Sequence, residues 1–96
     1  MNDLQIRINK ITQILVSESS KQDKALLSLQ AFSGLEITHF SQKRMKHFYK
    51  YMFAINAITS YYPRIIVDNN YNSLSDAHLN EILKNVQQLC LKLLID

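Results

Sequence analysis

Few residues in this chain could carry out a reaction: three histidines (His39, His47 and His78), a single cysteine (Cys90) and eight carboxylates. No two histidines stand four apart, the spacing that puts a metal-binding pair on one helical face, and neither HExxH nor CxxC occurs. A metal site would need distant segments to meet, so neither a metal nor a cofactor is expected. Cys90 lies in the apolar run LCLKLLID, where a thiol behaves as a small hydrophobe and not as a nucleophile. A phosphate-cradling loop needs several glycines, and Gly34 is the only one. The carboxylates form no cluster suited to acid/base work. These features point to a chain that is not an enzyme.

Charge is the more informative feature. Between Glu36 and Asp68 there is no acidic residue, while Lys43, Arg44, Lys46, Lys50 and Arg64 fall there, a local charge of +5. The rest of the chain carries six cations against eight carboxylates. Within this segment SQKRMKHFYKY, Ser41 to Tyr51, interleaves cations with aromatics. A helical projection puts Lys43, Arg44, Lys46, His47, Lys50 and Tyr51 on one side, and Met45, Phe48, Tyr49, Met52, Ile55 and Asn56 on the other. Lys43, Arg44, Lys46, His47 and Lys50 of the first group are the candidate partner-binding surface, suited to a phosphate backbone, acidic lipid headgroups or an acidic protein patch. The plainer alternative is a solvated face that keeps the protein soluble. With Phe48 and Tyr49 on the core side, stacking on nucleic-acid bases is not expected. The five tyrosines, Tyr49, Tyr51, Tyr61, Tyr62 and Tyr71, suit either an interface or the wet edge of a core.

The elements that must position these residues are helices. One glycine and one proline are too few for the many turns of a β-rich domain of this size. Apolar spacing and capping residues predict helices near residues 3–17, 21–33, 39–61 and 74–94, joined as an all-α, antiparallel four-helix bundle. Asp3 or Asn2, Ser20, Thr38 or Ser41, and Ser73 or Ser75 are the expected N-terminal caps. Gly34 is the expected left-handed residue after the second helix. Ile11, Leu15, Leu29, Phe32, Met52, Ile55, Leu79, Ile82, Val86 and Leu89 are the expected core. The third helix, apolar all round in its second half, is expected to run into the centre of the bundle. Residues 62–73 form the longest connection, with Arg64–Val67 read as extended or irregular.

Ninety-six residues fit one domain, 1–96, whose modest core could instead be completed by a second copy of the chain. With one cysteine no intrachain disulfide can form, which favours a reducing compartment. The opening MNDLQIRINK lacks the uninterrupted apolar stretch of a secretion signal, and no segment is apolar enough to span a membrane, so a cytoplasmic location is expected.

The helix order and proportions, with QKRMKHFYKYMFAINAI (Gln42 to Ile58) as the long third helix and SLSDAHLNEILKNV (Ser73 to Val86) opening the fourth, resemble the immunity proteins of class IIa bacteriocins. That resemblance implies a small, basic, non-enzymatic helical bundle inside the cell. It would act by binding another protein, a bacteriocin–receptor complex, at the inner membrane surface. Two other classes fit the residues: a small nucleic-acid-binding or regulatory protein using the basic face, and a chaperone or secretion accessory protein using the apolar end of the last helix, Leu89 to Ile95.

Overall fold

The computed structural model describes residues 3–33, 35, 37–60 and 74–94. Among them are four α-helices, α1 (Asp3–Val16), α2 (Lys21–Phe32), α3 (Gln42–Thr59) and α4 (Asp76–Leu94), together with a 3-10 turn at Ile37–His39 and no strand. They form a helical bundle, as the spacing predicts. The expectations for Gly34, for Tyr61 and for residues 62–73, including Ser73 as a cap, lie outside the described residues.

The helix starts follow from side-chain chemistry. Ser20 Oγ accepts from the Asp23 backbone N–H at 3.2 Å, Ser41 Oγ from that of Arg44 at 3.2 Å, and Ser75 Oγ from that of His78 at 3.2 Å. Each satisfies one of the donors that a helix leaves without an internal partner. Of the alternatives left open by the sequence, Ser41 and Ser75 cap α3 and α4. Helix α3 therefore starts later than residue 39, and the residues before it close as a separate 3-10 turn, with Phe40 N–H donating to Ile37 O at 3.0 Å. Asp3 opens α1 and pairs with Arg7 Nε at 3.1 Å. The same guanidinium crosses to α2, where Nη1 donates to Ala31 O (3.1 Å) and Ser33 O (2.8 Å). A cation from α1 thus closes the negative end of α2, whose own last turn has no basic residue.

The centre of the bundle is α4 and not α3. Leu79, Ile82, Val86, Leu89, Cys90 and Leu93 are all buried, on steps of three and four, and α4 packs against each of the other three helices. Ile8 and Ile11 come in from α1, Ala25, Ser28 and Phe32 from α2, and Ile55 and Thr59 from α3. Of the expected core, Leu15, Leu29 and Met52 are half-buried against this cluster and the other seven are buried. The second half of α3 stays at the periphery, with Phe53, Asn56 and Ala57 exposed. Its Asn56, Thr59 and Ser60 would all need partners at the centre, whereas the α4 stripe is apolar throughout. The Ser28 hydroxyl, fully buried, has no hydrogen-bond partner among the described residues.

Candidate functional site

Helix α3 is seated by aromatic contacts. The Phe48 ring meets Phe32 of α2 at 6.3 Å between centroids and Phe40 at 6.1 Å, both edge to face, and Tyr49 at 6.0 Å. Such pairs add stabilisation of about 0.5–1.5 kcal/mol each beyond the apolar area they cover. With Ile55 and Thr59 buried further along, these contacts fix which side of α3 faces outward.

That side differs from the helical projection. Arg44 is half-buried, turned towards the bundle, where it lines a cleft of about 170 Å³ with Leu4 and Ile8 of α1 and Leu93 and Leu94 of α4. His47 is half-buried as well, and so are Tyr51 and Ile58, which pack against the core. Lys43, Lys46 and Lys50 are exposed as expected. Beside them stand Tyr49, 54% exposed, and Phe53, 78% exposed, the first of which the projection put inside. The helix is rotated because Tyr51 and Ile58 bring more apolar area to the interface with α4 than Tyr49 and Asn56 would, and the latter keep their polar tips in water.

The outward face therefore carries Lys46, Tyr49, Lys50 and Phe53 at positions i, i+3, i+4 and i+7, with Lys43 one turn earlier. Cations and aromatics alternate along one line of the helix. None of the three lysines has a carboxylate partner among the described residues, where the ion pairs are Arg7–Asp3 and Lys21–Asp76. Lys50 Nζ lies 5.4 Å from the centre of the Tyr51 ring, a cation–π distance. The i, i+3, i+4, i+7 spacing was present in the sequence; the competing stripe of Met45, Phe48 and Met52 hid it.

Two cations of α3 stand at the wrong end of the helix for stability. Helices α1, α2 and α4 each have an aspartate in the first turn, Asp3, Asp23 and Asp76, complementing the positive end of the helix dipole. Helix α3 has no acid there and no cation in its last turn; Lys43 and Arg44 occupy the first turn instead. A cation in that position costs about 0.3–1 kcal/mol, so local stability does not account for it.

Elsewhere the chemistry is muted. Cys90 is buried, and burial pushes its thiol from 9.0 up to about 11, well away from a reactive thiolate. Among the described residues no group of three or more His, Cys, Asp or Glu side chains is placed to hold a metal ion. A groove of about 350 Å³ runs between α1 and α2, lined by Ile6, Ile14, Leu27 and Ala31 with Arg7 and Lys10 at its rim. At the end of α4, Leu89, Cys90 and Leu93 are buried while Leu91 and Leu94 are about half exposed. Among the described residues no helix is long and apolar enough to cross a membrane. No protein-family model, curated protein or solved structure matches the chain.

Proposed function

We propose that this protein works by binding and not by catalysis, with the outward face of α3 as its contact surface, and that its role is that of a bacteriocin immunity protein acting from the cytoplasmic side on another protein. The observation that supports the reading is the exposed row Lys46, Tyr49, Lys50 and Phe53, extended by Lys43, on a helix that has no carboxylate and whose first-turn cations oppose its own dipole. A cation that costs stability, at the head of an exposed row of lysines and aromatics, belongs to function more readily than to the fold. Arg44 and His47 are half-buried and contribute less to contact.

Expression of the chain in a bacteriocin-sensitive lactic-acid bacterium tests the specific role. Cells carrying it survive a class IIa bacteriocin that kills the parent strain, and the variant with Lys43, Lys46 and Lys50 all changed to Gln protects less at equal protein level. Absence of protection across a panel of such bacteriocins refutes the immunity role. A second reading, a single-stranded nucleic-acid binder, draws support from the exposed Tyr49 and Phe53 beside lysines, an arrangement on which bases can stack. It requires binding to an oligonucleotide that weakens steeply with salt.

A further inference from the structure

We infer that the outward face of α3 docks on an anionic lipid surface, with Lys43, Lys46 and Lys50 over the acidic headgroups and Phe53 in the interfacial layer. The inference rests on the contact surface proposed above and names what that surface touches first.

Charge complementarity sets the sign of the partner: three exposed cations lie on one helix with no carboxylate between Glu36 and Asp68. The type of cation sets its texture. Arginine, with a rigid fork matched to a single carboxylate or phosphate, suits a shaped protein pocket, and the one arginine of α3 is turned inward. The outward cations are all lysines, flexible point charges whose apolar stems can lie along the interface while the ammonium reaches the headgroups. Phe53 decides between a protein and a lipid occupant. Its ring is 78% exposed and projects from the convex side of a single helix. A protein partner would have to supply a matching concavity, whereas a bilayer interface deforms around an aromatic wedge. Tyr49, one turn back, presents an apolar ring with a polar tip, the composition favoured at headgroup depth. Attachment is peripheral, through one helix face.

The chain contains no tryptophan, so Phe53→Trp in the full-length protein places a single indole at the proposed wedge. Vesicles of phosphatidylcholine alone and of equal parts phosphatidylcholine and phosphatidylglycerol are the probes. The expected result is binding to the acidic vesicles only, weakening with salt, with a blue-shifted indole emission shielded from iodide. Each lysine near an acidic surface contributes about fivefold, so changing Lys43, Lys46 and Lys50 to Gln weakens partition roughly a hundredfold. An unchanged circular dichroism spectrum and a melting midpoint no lower than the parent's show that the variant is folded. Equal binding to neutral and acidic vesicles, an indole that stays water-exposed in the bound protein, or tighter binding to a single-stranded oligonucleotide than to acidic vesicles each overturns the inference. If bacteriocin protection depends on the lysines while acidic vesicles are not bound, the lipid inference fails and the contact surface stands. If the triple-lysine variant protects fully, the contact surface itself is wrong.

Discussion

Replacing Lys43 by Glu makes the protein more stable and less able to bind. Lys43 is exposed in the first turn of α3, capped by Ser41, and has no carboxylate partner among the described residues. Removing a cation from the positive end of a helix recovers about 0.3–1 kcal/mol, and adding an anion there contributes a similar amount. The new carboxylate also stands three residues before Lys46, turning a like-charge pair into an attractive one worth about 0.2–0.5 kcal/mol. Solvent screening of so exposed a site keeps the total near the lower end, about 1 kcal/mol. For a chain of this length that raises the melting midpoint by about 4–8 °C. Thermal unfolding followed by circular dichroism at low ionic strength measures the shift, and added salt shrinks it. Binding to acidic vesicles falls in the same variant. A midpoint that stays put or drops would show that Lys43 makes a favourable contact of its own, and the contrast between α3 and the other helices would lose its functional meaning.

Ile55→Ala and Ile82→Ala, both in the core, each cost about 2–5 kcal/mol in chemical denaturation; an unchanged midpoint for either would mean that the helical phase is wrong. Ser28→Ala stabilises by about 1 kcal/mol, because it removes a buried hydroxyl with no hydrogen-bond partner among the described residues and improves helix propensity; a loss of stability would reveal a partner for that hydroxyl. Arg7→Met keeps much of the side-chain bulk yet destabilises by about 1–2 kcal/mol by leaving the Ala31 and Ser33 carbonyls without their cation. Burial raises the folded Cys90 thiol from 9.0 to about 11, so the unfolded chain ionises first as pH rises. Stability from this group is full below pH 9 and is lost between pH 9 and 11. Against a Cys90→Val variant, whose stability profile lacks this loss, the difference isolates the thiol.

Helix number and most of the core were legible in the sequence because α1 and α4 repeat apolar residues on regular steps, and Ser20, Ser41 and Ser75 mark starts that the backbone then uses. What could not be read was rotation. In α3 apolar and aromatic residues stand on both sides of the helix, so periodicity gives two apolar stripes of similar strength, and the choice falls to neighbours on other helices. Phe32, Phe40 and the α4 stripe make that choice, drawing in Phe48, Tyr51 and Ile58 and leaving Tyr49 and Phe53 outside. The same ambiguity put α3 at the bundle centre by expectation, where the structure puts α4. The lysines were legible as a surface; their aromatic companions were not.

The central place of α4 also governs how the chain can fold as it is made. Ile8, Ile11, Phe32 and Ile55 share one cluster with Leu79, Ile82, Val86 and Leu89, so the first three helices emerge before the element that completes their shared core. At about 5–20 residues per second, the stretch from Thr59 to Leu94 takes a few seconds to synthesise, and the nascent chain carries bare apolar stripes through that interval. Completion of the core therefore waits until α4 has emerged, and the waiting chain is a natural substrate for chaperones that hold exposed helices. A nascent chain stalled before Asp76 has emerged remains sensitive to protease, while one extended past Leu94 on a spacer becomes resistant.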